Sequence, residues 1–380
     1  MKKFRLIKLI ILVVEHHASG LAGLLNIGRK LMKNRRFLTY LLFCIFFAGQ
    51  IGLSGESHAK EQIKLRFGTL DGPNTIIGKG QAWYLERVEE LSKGRIKFEN
   101  YWSSSLVPAR QLLDALNTGV ADVSFLIPGY YPSKLSLLTV GTLPTTYKNA
   151  YTFGMALHDL VLQTPAVSNE MAKWSAVYLT TSPFPPYNLL SKSPINSVDN
   201  LKGMKVRTFG GMAVLMKQFG AVVVSLPTPQ VYNALQRGTI DAAIYPPLLI
   251  TDFKLHETAK NLWTQPIGST VSCLGMRKAK WDSLSDDLKS IFRKAAVEHQ
   301  IAYHRIVQVE GNEGSARKKL LGAGVKITSG SEEATARINE KAGAIWADWI
   351  KKMEDKGKPG QMVADKFRSL LVKYSKKVPK

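Results

Sequence analysis

The sequence predicts an α/β fold in two lobes, and three observations carry that expectation. From Ile63 the hydrophobic pattern reads strand, helix, strand, helix, strand, and the same order returns after Pro194. A helix-glycine-strand unit occurs in both halves, as Leu-Asn-Thr-Gly-Val-Ala-Asp-Val from Leu116 and as Leu-Gln-Arg-Gly-Thr-Ile-Asp-Ala from Leu235. About 320 residues follow a leader-like opening, more than one typical domain needs. The βαβαβ order implies parallel sheets with right-handed crossovers, whose ligand sites lie beyond the carboxyl ends of the strands.

The first 59 residues read as a signal-peptide region. Asn34-Arg-Arg36 is a short basic region, Phe37 to Gly49 is apolar, and Ser57-His-Ala59 offers small residues for cleavage after Ala59. Export across the inner membrane into the periplasm is expected. The apolar run falls short of the roughly 20 residues of a membrane span, an uncleaved anchor being the alternative. Phe43 before Cys44 argues against lipidation. Lys2 to Val14 is a second basic and apolar segment, so Met32, just ahead of Lys33-Asn-Arg-Arg36, is the expected start, with a long leader as the alternative. Cys273 is then the lone mature cysteine, and no intramolecular disulfide is expected.

Along the mature chain, Ile63 to Phe67 alternates as a strand, and Gly78 to Ser92 is helical with Trp83, Leu85, Val88 and Leu91 inward. Ile96 to Tyr101 alternates again, Arg110 to Thr118 is a short helix stopped by Gly119, and Val120 to Ile127 is a buried strand. In the second half Lys205 to Thr208, Ala221 to Ser225 and Thr239 to Ile244 are strands, separated by helices over Met212 to Gly220 and Pro229 to Arg237. Proline-rich Thr181 to Tyr187 is a crossing segment, and a second is expected near Gly268 to Met276. Beyond Ser283 the chain is helical, with Trp346 and Trp349 as packing residues. The crossings divide the chain into a first lobe, 60–184 plus about 273–312, and a second, 185–272 plus about 313–380.

Charge and motifs narrow the function. The formal net charge of +23 falls to about +16 when residues 1–59, with nine Lys/Arg and two Asp/Glu, are removed. The basic residues are dispersed over helices and the C-terminal tail without a stripe interleaved with aromatics, which argues against nucleic acid and for a solvated basic face. Gly72 to Gly80 mimics a phosphate loop, but has five residues between the glycines and Gly80 where Ser or Thr must reach magnesium. There is no Gly-x-Ser-x-Gly elbow and no His-Glu-x-x-His, and His299 and His304 are five apart, off one helical face. Neither a catalytic residue, a metal site nor a cofactor is predicted, so the chain reads as a binder rather than an enzyme.

The candidate binding residue is Arg207. Asn196 to Leu201 reads as a capped helical turn, Gly203 ends it, and Lys205 to Thr208 is a short strand ahead of Gly210, Gly211 and a helix. An arginine where a strand ends and a helix begins can grip a carboxylate with two parallel donors. The competing reading is a structural salt bridge.

Several segments, in order, resemble the periplasmic solute-binding proteins of tripartite ATP-independent periplasmic (TRAP) transporters, DctP type, over essentially all of the mature chain. Gly78-Lys-Gly-Gln-Ala-Trp83 and Leu91-Ser-Lys-Gly-Arg-Ile96 resemble the family's first helix and following strand. Asp199 to Arg207 resembles its Asp-Leu-Lys-Gly-x-Lys-x-Arg signature, and Val231 to Asp241 its Val-Tyr-x-Ala-Leu-Gln-x-Gly-x-Val-Asp segment. The resemblance implies a two-lobed, periplasmic-binding-protein-like (Venus flytrap) fold with crossing strands and a long helix spanning the lobes. It also implies an organic-acid ligand, small and large integral membrane subunits as partners, and Arg207 as the carboxylate-binding arginine. Tyr187 stands where sialic-acid-type members carry a second arginine, Tyr245 where an asparagine is usual, and Phe209 where proline is common. These departures favour an apolar or aromatic monocarboxylate over dianions and sialic acid. Tyr187, Phe209 and Tyr245 are therefore expected to shape the pocket, with Gly129, Tyr130 and Tyr131 contributing from the first lobe. A signalling receptor and an exported enzyme on the same scaffold are the rival readings.

Overall fold

The computed structural model describes residues 62–144, 149–270 and 272–376; the expected start, signal region and cleavage point lie outside them. β1 (Ile63–Gly68) leads to α1 (Ile76–Leu91), which starts two residues before the expected Gly78 because the Thr75 side chain accepts the Gly78 N–H as an N-cap. β2 (Ile96–Tyr101), α2 (Leu112–Thr118) and β3 (Val123–Leu126) follow, α2 stopping where Gly119 takes φ 78°. After α3 (Ala150–Gln163) and α4 (Pro165–Ala172), β4 (Ala176–Thr181) ends one sheet and β5 (Tyr187–Ser191) begins in the other. The Pro-rich link between them is the first crossing.

The second sheet is built from β6 (Lys205–Arg207), α5 (Gly210–Gln218), β7 (Val222–Val224), α6 (Val231–Gln236), β8 (Ala242–Tyr245) and α7 (Pro247–Asp252). A capping box between Ser197 and Asn200 fixes the turn ahead of β6. β9 (Asn261–Gly268) then hands the chain back to β10 (Cys273–Arg277) in the first sheet. α8 (Lys278–Ser283) precedes a long helical run made of α9 (Asp286–Tyr303), a π-wound stretch over His304–Ala316 and α10 (Arg317–Gly322). β11 (Lys326–Ser329), α11 (Glu332–Glu354) and α12 (Gly360–Ser375) complete the chain.

Two mixed sheets result, in the orders β2-β1-β3-β10-β4 and β11-β9-β5-β8-β6-β7. The βαβαβ pairings are parallel as expected, but β10 runs antiparallel to β3 and β4, and β5 antiparallel to β8 and β9. Fully parallel sheets are thus corrected: β5 and β10 are the strands that arrive from the opposite sheet, so each enters its new sheet against the local direction.

The long helical run packs on α1 and β4 at one end and on α7 at the other, so one rod touches elements of both sheets. α11 does the same from outside. Its Arg337 holds Asp199 through two 2.8 Å hydrogen bonds, while Trp349 Nε1 donates to Thr139 Oγ1 at 2.8 Å. α12 packs on α3, with the Phe153 and Phe367 rings 5.7 Å apart. This last helix therefore lies with elements of the first sheet, whereas the sequence reading groups everything past about 313 with the second. Trp346 and Trp349 are buried, as packing residues should be.

Candidate ligand-binding site

Arg207 ends β6 and is fully buried. Its Nε donates to the Leu226 carbonyl at 2.9 Å and its Nη2 meets the Tyr130 hydroxyl at 3.5 Å, while Nη1 has no hydrogen-bond partner among the described residues. No salt bridge among the described residues includes it, which removes the structural-ion-pair reading. The guanidinium carbon instead sits 4.5 Å from the centre of the Tyr245 ring and 5.1 Å from that of Phe209. Cation–π attraction of this kind stabilises a desolvated cation by about 2 kcal/mol, less than the several kcal/mol that burying an unpaired charge costs. The guanidinium charge is thus left without an ionic partner among the described residues.

The surrounding polar groups brace the cage. Tyr245 Oη donates to Thr228 Oγ1 at 3.2 Å, and the Thr228 N–H donates to Tyr130 Oη at 3.2 Å. Burial pushes the Tyr245 phenol well above its ordinary range, opposed by the nearby Arg207 charge, so it remains a neutral donor. Tyr187 stacks on Tyr245 with ring centres 6.2 Å apart, and Phe184 meets Tyr187 edge-on at 6.0 Å. Tyr130 and Phe209 make a T-shaped pair at 5.5 Å.

These aromatics line a cavity closed further by Leu70, Asp71, Ile127, Thr228, Leu249 and Phe253, with about 10 Å³ of space inside. That is room for a single water, so an organic ligand requires its walls to move apart. A larger cleft of about 460 Å³ lies on the other side of the Tyr130 and Phe209 rings, and Arg110, Lys217 and Lys352 line it. Phe209 and Tyr245, the two rings that face the Arg207 guanidinium, both line the inner cavity, so the candidate site is placed there despite its size. Gly210 (φ 60°) and Gly211 bring the start of α5 against Thr142, where a Cβ on Gly210 would lie 2.6 Å from Thr142 Oγ1.

Of the residues predicted from sequence, Arg207, Tyr187, Phe209, Tyr245 and Tyr130 come together here. Gly129 borders the outer cleft, its bare Cα leaving room for Phe209: a Cβ would sit 2.6 Å from that ring. Tyr131 is a correction. Its hydroxyl donates to the Ala109 carbonyl at 3.1 Å and receives the Leu113 N–H at 3.3 Å, so it braces the start of α2 and is absent from the cavity wall. Thr228, Asp71 and Phe184 went unpredicted. The rule that sites lie beyond strand ends points to Asp71, three residues after β1, and could have found it.

Two α/β sheets linked by paired crossings, with a buried cationic cage among the strand ends, define a receptor for a small solute. The chain matches the family described as "Bacterial extracellular solute-binding protein, family 7" (DctP) over residues 67–352, and it belongs to that family. It is 26% identical over 291 residues to the outer membrane transporter protein TsaT of Comamonas testosteroni, covering 75% of this chain and 85% of TsaT. A TRAP solute-binding protein from Rhodoferax ferrireducens, solved with copurified benzoate, superposes with TM-score 0.77 at 26% identity, over 83% of this chain and 99% of that one. A marine-metagenome TRAP solute-binding protein specific for aromatic acids, solved with 3-hydroxybenzoate, gives 0.76 at 29% identity, with the same coverage of each chain. No helix among the described residues is long and apolar enough to cross a membrane.

Proposed function

We propose that this chain is the periplasmic receptor of a TRAP transporter, capturing a small monocarboxylate with an apolar or aromatic body for delivery to separate small and large membrane subunits. One observation carries the reading: a fully buried guanidinium, facing Phe209 and Tyr245, with Nη1 lacking a hydrogen-bond partner among the described residues. A carboxylate satisfies Nη1 and Nη2 together, a charge-assisted pair contributing about 1.5–3 kcal/mol. Tyr187 and Tyr245 offer rings and phenols where a dianion needs a second cation, and the neighbours solved with benzoate and 3-hydroxybenzoate support an aromatic body.

The cavity opens and closes as two lobes swing about the crossings at 182–186 and 269–272: 60–184 with about 273–312, and 185–272 with about 313–380, α12 returning to the first. Ligand shifts the population toward the closed form. The protein acts by capture and release, without turnover, metal or cofactor, after export by the leader ending at Ala59.

Mass spectrometry of the acid that copurifies with the protein, followed by a thermal-shift panel, tests this. Aromatic monocarboxylates are expected to stabilise the fold more than succinate-like dianions or sialic acid. Stabilisation by a C4-dicarboxylate alone would overturn the monocarboxylate assignment.

A further inference from the structure

Asp71 is the one carboxyl in the wall of the inner cavity, and it is 1% exposed. Its side-chain bonds run to Oδ2: Gln81 Nε2 donates at 2.8 Å and Thr69 Oγ1 approaches at 3.5 Å. Among the described residues Oδ1 takes part in no hydrogen bond and Asp71 in no salt bridge. A structural carboxylate this deep is ordinarily neutralised by a cation or surrounded by donors on both oxygens. Asp71 has neither, and it sits in the wall shared with the aromatic cage of Arg207.

We propose that Asp71 is a specificity residue that reads a hydroxyl on the body of the ligand, which makes this chain a receptor for hydroxylated aromatic acids; the assignment rests on the monocarboxylate reading above. A carboxyl with one oxygen tied to Gln81 and the other uncommitted can exchange a hydrogen bond with a phenolic hydroxyl. A plain benzene ring would leave that oxygen buried and unsatisfied, and sites of this kind reject the analogue that lacks the hydroxyl. Charge balance agrees. Burial, opposed by the Gln81 hydrogen bond and reinforced by the charge of Asp252, pushes the Asp71 carboxyl up to about 7. The other titratable group facing it, Tyr303, is a buried phenol held neutral by its own burial. Asp71 is therefore substantially protonated near neutrality. It can donate to the ligand hydroxyl without repelling the carboxylate that Arg207 holds.

The test is isothermal calorimetry of the mature protein with benzoate and with each of the three monohydroxybenzoates, on the wild type, Asp71→Leu and Asp71→Asn. In the wild type at least one hydroxybenzoate is expected to bind about tenfold or more tighter than benzoate. Asp71→Leu should collapse that ratio to near one, and Asp71→Asn, which keeps a polar group of the same shape, should retain more of it. Equal affinities of all four acids in the wild type overturn the assignment whatever the variants do, as does a preference that survives Asp71→Leu. A wild type that binds none of the four acids overturns the aromatic-monocarboxylate reading itself, an outcome distinct from binding without preference.

Discussion

Arg207 Nη2 and the Tyr130 hydroxyl stand 3.5 Å apart, joining the end of β6 in one sheet to the turn after β3 in the other. The contact is long for a hydrogen bond, and the adjacent Nη1 has no hydrogen-bond partner among the described residues. A carboxylate that takes both Nη atoms would thus form against a group already spanning the two sheets, so ligand capture and closure share one residue.

Replacing that residue gives the most direct prediction. Arg207→Ala should weaken binding of benzoate by about tenfold or more, the equivalent of a charge-assisted pair, and Arg207→Lys should restore little because an ammonium lacks the planar fork. Calorimetry reads both. An Arg207→Lys protein with wild-type affinity would show that the carboxylate is held by charge alone.

A second inter-sheet contact predicts an effect on closure. Asp252, at the end of α7, accepts the Ile76 N–H at 2.8 Å in the first turn of α1, where a helix start favours an anion. Burial raises the Asp252 carboxyl to about 6, offset by the Ile76 and Ile77 amides. Asp252→Ala leaves those amides without their acceptor only in the closed arrangement. The variant should therefore show a larger radius of gyration by solution scattering and several-fold weaker ligand affinity. Unchanged scattering and affinity would mean that this contact does not bias closure.

Arg207 was legible in the sequence because it belongs to a short local pattern, a capped turn, Gly203 and a strand end, whereas Tyr187 and Tyr245 were singled out only by the family resemblance, at positions where its members carry other residues. The Asp252–Ile76 contact was not, since its partners are 176 positions apart and meet only because two crossings fold one sheet against the other. Asp71 was hidden for a related reason, its role depending on Gln81 from the next helix and on aromatics from the other sheet. Tyr131 misled because adjacent residues in the turn after β3 point opposite ways, one hydroxyl toward Thr228 and the other toward Ala109. The antiparallel entries of β5 and β10 likewise follow from chain reversal between sheets, which hydrophobic alternation does not encode.

His299 makes stability depend on pH. It is fully buried, with Nε2 donating to the Gly80 carbonyl at 3.2 Å and Nδ1 3.1 Å from Thr180 Oγ1, and burial lowers its pKa to about 3 despite the Gly80 contact. The folded protein keeps this ring neutral while the unfolded chain protonates it near its ordinary 6.5. Its contribution is therefore complete above that value and lost as pH falls toward 3, at about 1.4 kcal/mol per pH unit. Asp71, raised to about 7, acts in the opposite sense, favouring the folded state at low pH and losing that contribution as pH rises through 7. Denaturant unfolding of the wild type and His299→Gln at pH 7 and pH 5 separates the two. The wild type should lose about 2 kcal/mol more than the variant on acidification. Parallel losses in both proteins would remove His299 as the cause.

Gly129 tests whether the wall between the inner cavity and the outer cleft is rigid. A Cβ there would lie 2.6 Å from the Phe209 ring, and that ring is pinned between Tyr130, 5.5 Å away, and the Arg207 guanidinium at 5.1 Å. Phe209 cannot yield without giving up one of these contacts, so Gly129→Ala should lower stability by about 1–3 kcal/mol, the usual cost of overpacking. Because the displaced ring is also a wall of the cage, benzoate affinity should fall together with the melting temperature. Phe209→Ala in the same background removes the clash: it should restore the melting temperature in part but leave binding weak, since the ring over the guanidinium is gone. If Gly129→Ala changed neither melting temperature nor affinity, Phe209 would have to be a mobile flap, and the cage around Arg207 would rest on Tyr130 and Tyr245 alone.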